Sequence, residues 1–329
     1  MSFDSDVIVD RRRMRRKLTF WRVLAVLVLI AGIAVAAFRL GAGDAAANLA
    51  GAGGDFVARV KITGLIRNDD DRVAALDRLA KSSAKAVIVR IDSPGGTTAG
   101  SEQLHDALRR VAAAKPTVVV VDGLAASGGY IAAMASDRII ARDTSLVGSI
   151  GVLFQYPNFS GLFEKVGVNV ETIRSTPLKA APSGLEPTSP EARAAVESIV
   201  LDSYDWFKTM VRERRHLDDA QLARAADGRV FTGRQAIALK LIDSLGDERT
   251  AREWLQKEKG VDASVRVRDW QLRSRFSDFS FLHLAAVHVL DAVGLSTLAR
   301  QIENSAVLRS IEGLNLDGLL ALWHPQSSN

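Results

Sequence analysis

The hydrophobic pattern changes period repeatedly along the chain, and each change predicts an element. From Phe56, alternation through Ala58, Val60 and Ile62 is the signature of a half-buried strand. Asp69 to Ala80 then places Val73, Leu76 and Leu79 at helical spacing. Ala86 to Ile91 reads as a buried strand that runs into the Asp92-Ser93-Pro94-Gly95-Gly96 turn. A helix from Thr98 to Ala114, with Leu104, Leu108 and Val111 on one face, leads to the strand Thr117 to Val121. Its four consecutive valines do not alternate, which suits a parallel strand covered on both faces. Strand, helix and strand at these intervals predict a right-handed parallel unit.

Beyond Ser127-Gly128-Gly129, Ile131 to Ser136 is helical and Arg138 to Ala141 a short strand. Phe159 to Val166 reads as a helix and Asn169 to Ile173 as a strand. Ser175 to Pro187 holds three prolines and must be a loop. Ser189-Pro190-Glu191 opens a long helix, with a capping serine and proline in the first turn. Gly228 to Gly233 is a turn or short strand before a helix ending near Leu241 to Asp243, and Glu248 to Lys259 is another helix. From about Phe276 the tail carries apolar helical patterns, Phe281 to Leu290 and Val307 to Leu322, suited to a subunit neighbour or a membrane surface.

A different pattern precedes all of this. Phe20 to Leu40 is apolar except for Arg22 and Arg39 near its ends, where arginines can snorkel to headgroups. A span needs about 17–25 residues, so this segment predicts a membrane anchor. A signal peptide cut near Ala45-Ala46-Ala47 is the competing reading. The resulting organisation is a basic N-terminus over 1–19, an anchor over 20–40, a Gly/Ala-rich linker over 41–55, a globular domain over 56–260 and an apolar helical extension over 261–329.

Charge sharpens that picture. The net charge is +5, and Arg11, Arg12, Arg13, Arg15, Arg16, Lys17 and Arg22 against Asp4, Asp6 and Asp10 supply +4 of it. The basic cluster predicts a cytoplasmic N-terminus, with the globular domain across the inner membrane on the periplasmic side. The nearly neutral remainder argues against nucleic acid as a partner. With no cysteine in the chain, disulfides and thiolate chemistry are excluded. The scattered histidines do not have zinc-ligand spacing.

Ser127 follows the valine strand and precedes two glycines, at a strand-to-helix turn where free N–H groups can stabilise an oxyanion. The alternative is a serine that N-caps a core helix. A nucleophilic serine needs a base. No histidine lies between Ser127 and His216, and His105 falls on a predicted helix as a surface residue. A lysine can serve if burial keeps it neutral. Lys179 stands among Pro177, Leu178, Ala180, Ala181 and Pro182 with no adjoining acid. Taken alone, it reads first as a solvated loop residue. Ser149, in a Gly-Ser-Ile-Gly setting, could orient that amine or simply form a turn.

Four blocks in order, Asp92 to Gly96, Ala125 to Tyr130, Val147 to Val152 and Gly228 to Gly233, resemble those of the SppA family of membrane-anchored signal peptide peptidases. The resemblance covers roughly Phe56 to Lys259. It implies a ClpP/crotonase-like α/β spiral of ββα units behind an N-terminal transmembrane helix. It also implies a Ser/Lys dyad of Ser127 as nucleophile and Lys179 as general base, with Ser149 orienting the lysine. The oxyanion hole implied is made by N–H groups of Gly95 or Gly96 and of Gly128. Ser175-Thr176-Pro177-Leu178-Lys179 departs from the Ser-Gly-x-x-Lys approach often seen in the family. The partners implied are apolar signal peptides, the membrane and further copies of the chain in a homo-oligomeric ring, and no cofactor is required. A SohB-type or other maturation protease, a crotonase-fold acyl-CoA enzyme and a non-catalytic membrane scaffold remain as alternatives.

Overall fold

A computed structural model describes residues 54–272 and 320–322. The expected anchor and most of the apolar tail lie outside the described residues. At the centre are three parallel strands, β1 (Phe56–Ile66), β2 (Ala84–Thr97) and β3 (Thr117–Ala126). The connecting helices are α1 (Asp70–Ala80) and α2 (Thr98–Ala114). Helix α1 starts where it does because the Asp69 carboxylate accepts the Arg72 N–H, and Asp70 and Asp71 complement the helix dipole in the first turn.

One edge of β3 is shared. Val118 to Val121 pair with β4 (Arg138–Ala141), and Leu124 to Ala126 pair with β5 (Leu146–Gly148), both parallel. The turn into α3 (Gly128–Ala133) follows directly. Strand β5 runs antiparallel to β6 (Val230–Thr232), while β4 is parallel to β7 (Ser244–Leu245). Strand β8 (Arg266–Asp269) extends the sheet beyond β1, and β9 (Leu320–Leu322) joins the end of β2 antiparallel, so the sheet is mixed. The remaining helices are α4 (Ser160–Lys165), α5 (Pro190–Arg215), α6 (Asp219–Ala225), α7 (Gly233–Ala238) and α8 (Glu248–Lys259).

The valine run behaves as its lack of alternation requires. Val119 and Val121 pack in the larger core with Leu76, Leu79, Leu104, Leu108 and Val111. Val118 and Val120 face the other way, onto Ile88, Ile140 and the α8 residues Ala251 and Leu255. Burying each valine is worth about 1.5–3 kcal/mol, so both faces hold β3 in register. The strand cannot slip without carrying Ser127 with it.

Four expectations are corrected. Asn169 to Ile173 is not a strand; among the described residues nothing pairs with it, and a lone strand would leave its backbone groups without a ladder. Strand β2 continues through Pro94-Gly95-Gly96 instead of ending in a turn there. Leu320 to Leu322, inside an apparent helical pattern, are strand, because a short apolar run does not distinguish the two states. His105 is buried and not at the surface, since it shares the inner face of α2 with Leu104 and Leu108.

Candidate active site

Ser127 is the junction between β3 and α3. Its backbone takes φ 54° and ψ −117°, a conformation costing about 1–3 kcal/mol for a residue with a Cβ. The bland role is absent, because its side chain does not cap α3. The residue is 1% exposed, and its Oγ has no hydrogen-bond partner among the described residues. A buried hydroxyl left without a partner costs about 1–3 kcal/mol. Strain and an unmade hydrogen bond at one residue are what a nucleophile awaiting a base and a substrate would show.

The turn is fixed from three sides. The Ser127 N–H donates to the Gly148 carbonyl at 2.7 Å, tying it to the end of β5. Its own carbonyl accepts the N–H groups of Tyr130 and Ile131 at 2.9 and 3.0 Å, starting α3. Gly129 presses on β2, where an added Cβ would lie 2.6 Å from the Ser93 carbonyl oxygen. The next turn is anchored by Tyr130, fully buried, whose hydroxyl donates to the Leu241 carbonyl at 2.7 Å. Burial pushes that phenol well above the usual tyrosine range, so it stays a neutral donor.

Ser93 belongs to the first motif block, but nothing in the sequence signals a role for it. Fully buried at the end of β2, its hydroxyl donates to the Gly64 carbonyl at 2.7 Å and accepts the Gly95 N–H at 3.1 Å. This clamps β1 to the glycine end of β2. Gly95 sits at φ 100°, and at Gly96 a Cβ would fall 1.8 Å from the Ile66 carbonyl oxygen. The Gly95 N–H is thus already engaged by Ser93. Gly128 opens α3, ahead of the N–H groups of Tyr130 and Ile131 that the Ser127 carbonyl takes up.

Ser149 is brought beside Ser127. Ala126 pairs with Gly148, so the two serines leave adjacent strands at the same level. Ser149 also has a left-handed backbone, φ 51°, and its N–H donates to the Arg229 carbonyl at 2.7 Å. Through β6 the fourth block, Gly228 to Gly233, therefore lies next to the third. All four blocks meet at one end of the sheet, beyond the carboxyl ends of the parallel strands, where α/β folds place their ligands.

Lys179 is not in this cluster. It is exposed, in a turn where its N–H donates to the Thr176 carbonyl at 3.1 Å, and it makes no bond to Ser127 Oγ. An ion pair between Arg174 and Glu186 closes the base of its loop. Along the same segment Leu162, Val166, Ile173 and Leu178 are exposed, Ile173 completely. Among the described residues no three or more His, Asp or Glu side chains converge as metal ligands.

Comparison with known proteins finds related peptidases. A model of peptidase family S49 matches residues 109–262, and a Clp protease model matches residues 57–145. The "Putative protease slr0021" of Synechocystis sp. is 36% identical over 208 residues, which is 63% of this chain and 75% of that protein. The chain belongs to peptidase family S49. Within this family of serine peptidases it lies close to SppA proteins. Protease 4 of Haemophilus influenzae is 33% identical over 59% of this chain and 29% of its own length. The chloroplastic serine protease SPPA of Arabidopsis thaliana is 36% identical over 49% of this chain and 24% of its own. The S49 and Clp protease matches together cover the sheet from β1 to α8, and the α/β architecture is ClpP-like.

Proposed function

We propose that this S49 peptidase is a membrane-anchored endopeptidase that degrades apolar peptides, including signal peptides left in the membrane after precursor cleavage, with Ser127 as nucleophile and Lys179 as base. The observation that carries the reading is the strained, buried Ser127, whose Oγ has no partner among the described residues. A neutral Lys179 amine takes the hydroxyl proton as Ser127 Oγ attacks the peptide carbonyl. The C–N bond breaks as the lysinium returns that proton to the leaving amine, and water then hydrolyses the acyl ester with the same base. The Gly128 N–H at the start of α3 would face the developing oxyanion. The anchor at 20–40 would hold this centre near its substrates.

The exposed position of Lys179 favours completion of the centre by a second copy. A solvated ammonium is a poor base, and packing against a neighbouring copy would exclude that water. The exposed apolar side chains between Leu162 and Leu178 give that segment a surface to bury against a neighbour. The test uses full-length protein in detergent with a synthetic signal peptide. Ser127→Ala and Lys179→Ala are each expected to abolish cleavage while remaining folded by circular dichroism. Mixed oligomers of the two variants are expected to regain cleavage, since one copy supplies the serine and the other the lysine. Cleavage that survives Ser127→Ala defeats the assignment of the nucleophile, and a dead mixture defeats the shared centre.

A further inference from the structure

We propose that Arg214 and Arg109 are positioning residues for the nucleophile, gripping the rear of α3 so that the strained turn of Ser127 at its front cannot relax. The inference rests on the peptidase reading of that serine.

Helix α3 has six residues, too few to hold its own geometry. The chain leaves it through Met134, Ala135 and Ser136, all buried. Carbonyls at the end of a helix have no intrahelical donor and must find one elsewhere. Here guanidinium groups supply all three. Arg214 of α5 donates from Nε to the Met134 carbonyl at 2.8 Å and from Nη2 to the Ser136 carbonyl at 2.9 Å. Arg109 of α2 donates from Nη1 to the Ala135 carbonyl between them at 3.0 Å.

The next residue of α5 reaches α3 by a second route. Arg215 donates from Nη2 to Asp243 Oδ1 at 2.7 Å and from Nε to the Lys240 carbonyl at 2.8 Å. Between those contacts stands Leu241, whose carbonyl accepts the Tyr130 hydroxyl. The last turn of α5 thus holds α3 directly at its end and, through the 240–243 segment, at Tyr130. At its other end α5 starts at Pro190, three residues past the loop that carries Lys179. One helix of 26 residues, about 39 Å long, joins the loop of the base to the back of the nucleophile's helix.

The surroundings of Arg214 show what keeps it there. Burial pushes its guanidinium below the ordinary arginine value, and Arg109 and Arg215 act in the same direction against Asp137. Asp137 is itself engaged, accepting the Thr117 N–H at 2.9 Å. The site disfavours the charge it holds, and the bonds to the α3 carbonyls offset that. Removing the guanidinium therefore strands carbonyls at the rear of α3.

The test is Arg214→Met in the full-length protein in detergent, which keeps an aliphatic stem and removes the donors. Arg214→Lys keeps the charge but not the planar fork. On a synthetic signal peptide, kcat is expected to fall about tenfold or more in Arg214→Met with KM unchanged, and to recover in part in Arg214→Lys. Arg109→Met frees only the Ala135 carbonyl; its kcat should fall about threefold, and it decides the matter if Arg214→Met does not fold. Arg212→Met, at an exposed position on the same turn of α5, is the control and should match the wild type. Hydrogen exchange by mass spectrometry follows the same proteins, with faster exchange expected over 127–136 and none gained in β1 and β2. Faster exchange there supports the grip even if the wild type proves inactive, which would count against the peptidase reading alone. If the wild type cleaves, unchanged kcat in the arginine variants overturns the proposal whatever happens to Tm. If it does not, unchanged exchange over 127–136 overturns it.

Discussion

The Ser127 N–H donates to the Gly148 carbonyl at 2.7 Å, so the strained turn of the nucleophile is held by the last residue of β5. Gly148 can do this only in its own left-handed conformation, φ 100°, with a Cβ position 3.1 Å from Phe231 Cδ2 and 3.3 Å from the Arg229 carbonyl oxygen. Gly148→Ala is therefore expected to cost about 1–2 kcal/mol of stability. Peptide turnover is expected to fall about tenfold or more as the Ser127 backbone relaxes. Urea unfolding and steady-state kinetics on the same preparation check both. Normal turnover in a destabilised protein would show that β5 supports the fold and not the nucleophile.

At Gly129 the constraint is tighter. An added Cβ would lie 2.6 Å from the Ser93 carbonyl oxygen, and a backbone atom cannot rotate aside as a flexible side chain can. Gly129→Ala must either push α3 off β2 or displace Ser93, which in turn holds Gly95 and Gly64. The expected outcome is a loss of about 1–3 kcal/mol together with most of the activity. Ser93→Ala separates the two effects: it keeps the approach of α3 but frees the Gly95 N–H. Its activity should change more than its Tm.

The central sheet was readable from sequence because its cause is local. Four valines without alternation require cover on both faces, and the two clusters around Val118 to Val121 supply it. The serine turn and its glycines were readable for the same reason, since the residue types that permit positive φ and close approach stand next to one another. Ser93 was not. A hydroxyl that bonds a carbonyl 29 residues earlier leaves no periodic trace in the chain. The strand at Leu320 to Leu322 was hidden too, because its partner is more than 220 residues away and its apolar run fits a helix equally well. His105 was misplaced because a single histidine on an amphipathic helix carries no signal of which side of the boundary it falls on.

Tyr130 tests how α3 is anchored. Its hydroxyl donates to the Leu241 carbonyl inside the core at 2.7 Å, bridging 111 residues of sequence. Tyr130→Phe keeps the ring packing and leaves that carbonyl without this donor, so about 1–2 kcal/mol of stability should be lost. Chemical denaturation reads this directly. A neutral result would mean that water replaces the hydroxyl at Leu241.

His105 gives the fold a pH dependence whose sign follows from its surroundings. Burial pushes its pKa below the ordinary histidine value, and nearby Arg214 and Arg109 act in the same direction. The Asp106 carboxylate, 3.1 Å from Nδ1, pulls the other way without prevailing. Nε2 has no partner among the described residues, so protonation would create a buried N–H donor with no acceptor there. Above the unfolded-state value of about 6.5 both states are neutral, and the histidine leaves stability unaffected. As pH falls below that value, the unfolded chain takes the proton first, and stability declines until the lowered folded-state value is passed. His105→Gln removes this contribution. The fall in Tm between pH 7.5 and pH 5 should therefore be smaller in the variant than in the wild type. Equal slopes would show that His105 accepts its proton in the fold as readily as in the unfolded chain, and that α2 opens locally to admit water.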